Sequence, residues 1–267
     1  MSTIKELSNL NGRVSIITGA SGHLGKTISE TLAELGSNLI LIDRPETDFS
    51  AMISDLKQRW DVEVETYTCD FEIPNQRKEL ISSIVSSHKE LNCLINNAAF
   101  VGTSELSGWN VPFEQQTSET FSRALEVNLT AVFDLAKGFS TTLKNSKGAN
   151  IINIASIYGV HAPDWGLYEG TDVNNPAAYG SSKAGLIQLT RWLSSRLAPQ
   201  IRVNSISPGG IYRNQQKIFV KRYEAKTPLG RMATEDDLKG AIAYLACDLS
   251  KYVTGQNLFV DGGWGVV

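Results

Sequence analysis

The sequence predicts an α/β fold, a single doubly wound sheet of seven parallel strands with helices on both faces. Two observations predict it. Short β-rich runs alternate with segments whose apolar residues recur at helical spacing, and a glycine-rich turn follows the first of these runs. No linker, repeat or change of composition interrupts the 267 residues. We therefore expect one dinucleotide-binding domain over residues 1–267.

Strand and helix follow one another along the chain. In the first helix, at 25–36, Ile28, Leu32 and Leu35 recur on one helical face. Alternation of this kind implies parallel strands, because a parallel crossover needs a helix-length connection. The predicted strands are “RVSIITGA”, “SNLILID”, “VEVETYTCD”, “LNCLINNAA”, “ANIINIAS”, “RVNSISPGG” and “NLFVDGG”. The other helices are predicted at 49–60, 76–88, 119–143, around Tyr179 and Lys183, and at 234–249.

Composition and charge exclude several classes of protein. A content of 42% apolar and 20% charged residues is ordinary for a globular chain. The net charge of -3, without a Lys/Arg run, argues against nucleic-acid binding. Cys69, Cys93 and Cys247 lack metal-ligand spacing, so we expect neither a disulfide framework nor a metal. Without a signal-like h-region or a run of about 18 apolar residues, we expect a cytoplasmic protein with no membrane partner.

The turn “TGASGHLG” after the first strand predicts a dinucleotide site. Gly19, Gly22 and Gly25 let the backbone approach a pyrophosphate, which the free N–H groups and dipole of the next helix attract. Asp43 closes the second strand about twenty residues on, where an acid binds the adenosine ribose and repels a 2′-phosphate. NAD is therefore the favoured cofactor. NADP stays open, because Arg44 beside Asp43 can pair with a phosphate.

A second motif, “AAYGSSKAG”, places Tyr179 four residues before Lys183 on a predicted helix. Residues four apart share a helix face, and a cation within about 4–6 Å stabilises a phenolate. Lowering the pKa of Tyr179 by about 3 units requires roughly 4 kcal/mol of differential stabilisation. The phenol then becomes a usable acid or base near neutral pH. Taken alone, the motif also fits a surface Tyr/Lys pair.

Seven motifs in order resemble the short-chain dehydrogenase/reductase family over nearly the whole chain. They are “TGASGHLG”, “NNAA”, “EVNL”, “NIAS”, “YGSSK”, “RVNSISPGG” and “VDGG”. The resemblance implies a Rossmann-type fold and a catalytic tetrad of Asn128, Ser156, Tyr179 and Lys183. By that resemblance Tyr179 exchanges a proton with the substrate oxygen, which Ser156 also hydrogen-bonds. Lys183 would hold the nicotinamide ribose, and Asn128 would position a water.

The resemblance also implies cofactor contacts and an oligomer. Asp70 would touch the adenine, Asn97 the adenosine-side ribose, and Pro208 with Gly209 the nicotinamide. The cofactor-binding candidates are Gly19, Ser21, Gly22, His23, Leu24, Gly25, Asp43, Arg44, Asp70, Phe71, Asn97, Ala98, Ala99, Tyr179, Lys183, Pro208, Gly209 and Ile211. A homodimer or homotetramer would pair through the helices at 119–143 and 179–197.

Three features depart from the family pattern. His23 stands where typical members have glycine, and the glycine spacing is more like the extended, sugar-nucleotide-acting branch. After Pro208 the chain lacks the threonine that often holds the nicotinamide carboxamide. The connection at about 159–177 is unusually long and emerges beside Ser156. We interpret this insert as a wall of the substrate site, the alternative being a loop packed on a neighbouring subunit. It carries Asp164, Trp165, Tyr168, Glu169 and Asp172.

The segment at about 211–232 is interpreted as a substrate lid. Within it, the stretch from Arg213 to Lys226 is basic, with Arg213, Lys217, Lys221, Arg222 and Lys226 against the single acid Glu224. Basic side chains at the mouth of a pocket suit a phosphorylated or nucleotide-linked substrate. The alternative is a solvated helix face.

The predicted function is NAD(P)-dependent hydride transfer to or from a secondary alcohol or ketone of a small polar, sugar-like or phosphorylated molecule. The stretch “IASIYGVHAPDWGLYEG” resembles bacterial oxidoreductases of surface-sugar and flagellin modification. One alternative is a sugar-nucleotide epimerase or dehydratase that retains NAD and returns the hydride, which the glycine spacing favours. The other is a non-catalytic dinucleotide sensor, which the intact pair of Tyr179 and Lys183 disfavours.

Overall fold

The computed structural model describes residues 1–100 and 106–267. Its seven strands form one parallel sheet in the order β3-β2-β1-β4-β5-β6-β7. They are β1 (Val14–Thr18), β2 (Asn38–Asp43), β3 (Val64–Thr68), β4 (Cys93–Asn96), β5 (Asn150–Ile154), β6 (Arg202–Pro208) and β7 (Asn257–Val260). Each lies within a run that the sequence predicts as a strand, and the predicted fold class is confirmed.

The helices cover both faces of the sheet. They are α1 (Ile4–Ser8), α2 (His23–Glu34), α3 (Ser50–Arg59), α4 (Pro74–Ser87), α5 (Ser118–Leu125), α6 (Ala131–Lys144), α7 (Ala177–Leu197), α8 (Lys217–Lys226) and α9 (Lys239–Ala246). Helices α1 and α8 were not predicted from the sequence. The single helix expected at 119–143 is α5 and α6 joined by a π-helical turn, Glu126–Thr130. None of the helices in the described ranges is long and apolar enough to cross a membrane.

Consecutive residues of the central strands pack into two different hydrophobic cores, one on each face of the sheet. On β1, Ile17 packs in the core formed with α2 and α9, whereas Ile16 packs in the core formed with α4, α6 and α7. On β4, Ile95 and Leu94 divide in the same way. Because both faces are covered, these strands are apolar at successive positions rather than at alternate ones.

The strand order reverses at β1, which lies between β2 and β4. In open parallel sheets, ligands bind at the carboxyl ends of strands that flank such a reversal. Here the Nδ2 of Asn97, just after β4, donates to the backbone oxygens of Thr18 and Gly19, both at 3.0 Å. The glycine turn after β1 is thereby fastened to the end of β4.

A small third core lies outside the sheet. It contains Ile157, Leu167, Phe219, Tyr223, Met232 and Trp264, which we call the cap cluster. These residues come from the turn after β5, the insert, the segment 211–232 that contains α8, and the carboxyl-terminal turn. Segments far apart in sequence therefore meet over one part of the sheet edge.

Candidate active site

A cleft of about 950 Å³ opens at the carboxyl ends of the strands. Every predicted cofactor-binding residue lines it, and so does Ser156. Asn128, the remaining member of the predicted tetrad, does not. Among the described residues, no group of three His, Cys, Asp or Glu side chains could hold a metal ion.

The glycine turn is too tight for side chains. A Cβ on Gly25 would lie 2.0 Å from the backbone oxygen of Gly19, and one on Gly19, where φ is +64°, would lie 2.8 Å from the Cα of Ala98. Helix α2 begins at His23, and its N-cap Gly22 offers no side chain to the first-turn N–H groups. A helix start of this kind, without a side-chain cap in the described part of the chain, fits the pyrophosphate of a dinucleotide.

A carboxylate flanks the turn at the end of β2. The Oδ2 of Asp43 accepts hydrogen bonds from the backbone N–H (2.8 Å) and hydroxyl (2.7 Å) of Ser21. Its Oδ1 accepts from the backbone N–H of Arg44 at 2.9 Å. Ser21 thus holds the carboxylate at the edge of the cleft, while the Arg44 side chain is exposed. This arrangement fits an adenosine ribose beside Asp43.

Beyond β3, Asp70 and Phe71 form the next wall. The Oδ1 of Asp70 accepts from the backbone N–H of Glu72 at 2.9 Å. The guanidinium of Arg77, which is 2% exposed, donates to the backbone oxygen of Phe71 and pairs with Glu126 at 2.6 Å. This wall is therefore fixed to the π-helical turn.

Helix α7 brings Tyr179 and Lys183 to the cleft beside Ser156. The ammonium of Lys183, a residue only 3% exposed, donates to the backbone oxygen of Ile154 at 2.7 Å. It lies 5.9 Å from the centroid of the Tyr179 ring. The Oγ of Ser156 accepts from the backbone N–H of Tyr158 at 3.2 Å, which leaves its own proton for another acceptor. The three predicted side chains are thus brought together.

The ionisation of this pair differs from the sequence-based expectation. Burial raises the pKa of the Tyr179 phenol, with Ser156 acting in the opposite direction. Burial also lowers the pKa of the Lys183 amine to about 8. The expectation that Lys183 lowers the pKa of Tyr179 is therefore wrong for the cofactor-free chain. A buried environment disfavours both charged forms, and the ammonium is directed at Ile154.

Asn128 lies in the π-helical turn behind the cleft and is 1% exposed. Its Oδ1 accepts from the backbone N–H of Phe100 at 2.6 Å, and its Nδ2 donates to the Oγ of Ser182 at 2.9 Å. Ser182 in turn donates to the backbone oxygen of Tyr179 at 2.8 Å. Asn128 therefore connects the π-helical turn to the first turn of α7, which carries the tyrosine.

Known proteins share both sequence and fold with this chain. A family model described as enoyl-(acyl carrier protein) reductase matches residues 19–265. The chain is similar to post-translational flagellin modification protein A of Campylobacter coli, with 30% identity covering 96% of this chain and 100% of the relative. It is also similar to the 3-oxoacyl-(acyl-carrier-protein) reductase FabG of Rickettsia felis, with 33% identity covering 96% and 98%. The chain belongs to the short-chain dehydrogenase/reductase family.

Among solved structures, a short-chain dehydrogenase from Leptospira borgpetersenii with bound NAD+ is 34% identical, with a TM-score of 0.82. The match covers 99% of this chain and 96% of that one. Family membership makes this short-chain dehydrogenase/reductase an NAD(P)-dependent oxidoreductase. The similarity to a flagellin modification protein agrees with the resemblance noted for the stretch “IASIYGVHAPDWGLYEG”.

In this short-chain dehydrogenase/reductase the insert packs on the lid of its own chain. Lys226 of α8 pairs with Asp164 at 2.8 Å, and Arg222 donates to the backbone oxygen of Glu169. The insert lines the cleft through Tyr168 and residues 173–176, but not through Asp164, Trp165, Glu169 or Asp172. The insert is thus a wall of the cleft, held from behind by α8.

The basic stretch contributes less to the cleft than expected. Of its five cations only Arg213 lines the cleft, where its Nε donates to Glu235 at 3.1 Å. Lys226 and Arg222 are bound to the insert. Lys217 and Lys221 lie outside the lining. Two of the five cations therefore join the lid to the insert, and two others lie away from the cleft.

Several lining residues were missed by the sequence analysis. They include Trp109, Asn110, Tyr158, Asn174, Asn175, Gln215, Phe219, Tyr223 and Met232. Tyr158 lacks a lysine one turn later and so is no candidate for the catalytic tyrosine, but its hydroxyl lies 2.7 Å from that of Tyr168. Its place two residues after Ser156, at the carboxyl end of a strand, is the signal that could have found it. The lid aromatics carry no such signal.

Proposed function

We propose that this enzyme transfers hydride between NAD and the carbinol or carbonyl carbon of a small hydroxylated molecule. The observation that carries the proposal is one continuous cleft, in which the glycine turn and Asp43 lie at one end and Ser156, Tyr179 and Lys183 at the other. Nicotinamide dinucleotide supplies the hydride chemistry when bound. The protein's own residues supply the proton and the orientation.

The proton chemistry is assigned to Tyr179 and Ser156. Because Ser156 already accepts a backbone N–H, its hydroxyl proton is available to the substrate oxygen. Tyr179 gives that oxygen a proton during reduction and takes one during oxidation. Lys183 lies one turn away, where its ammonium can bind a ribose hydroxyl. Asn128 positions the tyrosine through Ser182.

The carboxylate of Asp43 supports NAD over NADP. Ser21 holds it at the edge of the cleft, where it would accept a hydrogen bond from a ribose hydroxyl and repel a 2′-phosphate. Arg44, exposed beside it, is the feature that favours NADP instead.

The substrate half of the cleft supports a polar, sugar-like molecule. Phenols and amides line it next to Tyr179, among them Tyr158, Tyr168 and Asn175. Such groups both donate to and accept from substrate hydroxyls. Arg213, whose side chain is 42% exposed, supports a phosphorylated or nucleotide-linked form of this substrate. We treat the insert and the lid together as the unit that selects it.

A substrate screen tests the proposal. The enzyme is incubated with NAD+ or NADP+ and with sugar alcohols, sugar phosphates and nucleotide sugars, and the absorbance of reduced nicotinamide is recorded. For an active compound, Tyr179→Phe is expected to lower kcat/KM by about 100- to 10,000-fold, because a general acid is removed. The matched control is Tyr252→Phe at a fully exposed tyrosine. NADH binding without net turnover of any compound would instead favour an enzyme that returns the hydride to its substrate.

Self-association through α6 and α7 is also proposed. Phe133 on α6 and Trp192 on α7 are large apolar side chains that stay 39% and 53% exposed. A homodimer or homotetramer would cover them. We expect sedimentation equilibrium to give at least twice the chain mass, and Trp192→Glu to shift it towards the monomer. A wild-type chain that sediments as a monomer would contradict this part of the proposal.

A further inference from the structure

Tyr223 of the lid is joined to the backbone at the end of β6. Its hydroxyl accepts the backbone N–H of Gly210 at 2.5 Å. A Cβ on Gly210 would lie 2.8 Å from the Cζ of Tyr223, so this glycine lets the ring approach the strand end. Tyr223 is 2% exposed and lines the cleft. A buried phenol therefore reaches the cleft from the lid.

The cap cluster fixes the position of this phenol. The Tyr223 ring stacks on Trp264, with centroids 6.0 Å apart and an interplanar angle of 17°, and on Phe219 at 6.1 Å and 30°. The hydroxyl is thereby held against Gly209 and Gly210. Ring packing on two sides leaves the Tyr223 oxygen little freedom to move.

The phenol has one hydrogen bond left to make. A tyrosine hydroxyl can accept and also donate, and this one already accepts. Among residues 1–100 and 106–267 this hydroxyl donates no hydrogen bond. A buried donor without an acceptor is costly, and here it lies on the wall of a ligand cleft.

The positions of Asp43 and the glycine turn indicate which part of a bound dinucleotide would face the Tyr223 hydroxyl. The adenosine end belongs beside Asp43, and the pyrophosphate at the glycine turn. The nicotinamide then lies on the other side of the turn, between Tyr179 and the end of β6. After Pro208 the chain continues with Gly209, Gly210 and Ile211, which offer no side-chain hydroxyl.

We propose that Tyr223 is the polar anchor of the nicotinamide half of the cofactor. It fixes the Gly209–Gly210 backbone and donates its free proton to the carboxamide oxygen. This inference rests on the proposed function, because it presumes that a nicotinamide dinucleotide binds in the cleft. It also assigns to the lid a direct role in cofactor binding.

Tyr223→Phe tests the inference, because it removes one oxygen and keeps the ring in the cap cluster. Calorimetric titration measures the Kd of NADH and of ADP-ribose, which has the adenosine, the pyrophosphate and the ribose but no nicotinamide. We expect the Kd of NADH to rise about tenfold, the effect of losing one or two hydrogen bonds, while the Kd of ADP-ribose stays the same. The matched control, Trp264→Phe, perturbs the same cluster but keeps the hydroxyl and should leave the ratio of the two Kd values unchanged.

Two results would overturn the inference. An equal loss of affinity for both ligands would assign Tyr223 a purely structural role. Unchanged NADH binding would show that its hydroxyl does not touch the nicotinamide half. If the wild-type enzyme bound ADP-ribose and NADH equally weakly or not at all, the proposed function would fail first, and the inference with it.

Discussion

The two halves of the cleft differ in what lines them, which is mainly backbone in one half and mainly side chains in the other. The proposed dinucleotide half consists largely of backbone, in the turn between β1 and α2 and in the ends of β2 and β3. The proposed substrate half is lined by side chains from the insert and the lid. These two segments pack together with the carboxyl-terminal turn in the cap cluster. Backbone geometry leaves a local signature in the sequence, whereas packing between distant segments does not. The first half was therefore predictable residue by residue, and the second only as a region.

The largest effect on cofactor affinity is expected from Gly25→Ala, in the proposed dinucleotide half. The added Cβ would meet the Gly19 oxygen at 2.0 Å, a backbone atom that cannot move aside without opening the turn. We expect NADH affinity to fall on the order of 10- to 100-fold, the scale of an overpacked site. Fluorescence titration of NADH measures it.

Gly240→Ala is the matched control, because no other described residue outside its own helix turn and chain neighbours comes within 4 Å of a Cβ at this position in α9. This variant should bind NADH as tightly as the wild type, and the substitution should stabilise the helix by about 0.5–1 kcal/mol. Equal NADH affinity in Gly25→Ala and wild type would show that the turn does not cradle the dinucleotide.

The next effect is a change in the free energy of unfolding at Lys183, which lies where the two halves of the cleft meet. Its amine pKa falls from 10.5 to about 8 on folding, so below pH 8 the folded state carries the cost of a buried charge. Between pH 8 and 10.5 the unfolded state binds more protons, and stability therefore rises with pH. Lys183→Met removes this cost and is expected to be on the order of 1–3 kcal/mol more stable than wild type at pH 7.

Urea unfolding of the cofactor-free chain at pH 7 and pH 10 tests this prediction. The stability advantage of Lys183→Met should shrink at the higher pH, because the wild-type lysine is then neutral when folded. An advantage that is the same at both pH values would mean that the Lys183 amine is not desolvated.

The smallest effect is expected in the substrate half, between Asp164 of the insert and Lys226 of the lid. Both side chains are partly exposed, at 39% and 29%, so a double-mutant cycle with Asp164→Asn and Lys226→Met should give a coupling of about 0.5 kcal/mol. Lys226 holds the pKa of the Asp164 carboxyl below its usual range. The coupling is therefore present at neutral pH and lost as acid protonates Asp164.

The control pair is Lys57 and Glu63, which are more exposed and 3.5 Å apart, and their coupling should be close to zero. Equal coupling in the two pairs would argue that the insert and the lid are not specifically joined.

The sequence predicted the parts of the site that depend on spacing. The glycine turn, the acid after β2 and the Tyr/Lys pair are short-range patterns, and all of these residues line the cleft. Spacing does not report burial, which is why the direction of the Tyr179 pKa was wrong. It also does not distinguish α-helix from π-helix, so the turn that carries Asn128 was read as part of one continuous helix.

The lid shows a second limit. From charge alone its basic residues indicated a site for an anion, but Lys226 and Arg222 pair with the insert and only Arg213 faces the cleft. Tyr223 gave no sequence signal, because its role depends on contacts with Gly210 and Trp264, which are distant in the chain. Long-range packing decides which charged and aromatic side chains reach a site.

Calorimetric titration of the wild-type chain with NADH, with NADPH run alongside, tests most directly whether this cleft is a dinucleotide site. We expect saturable binding of one NADH per chain, tighter than that of NADPH because of Asp43, and competition by ADP-ribose. Failure of both dinucleotides to bind would contradict it.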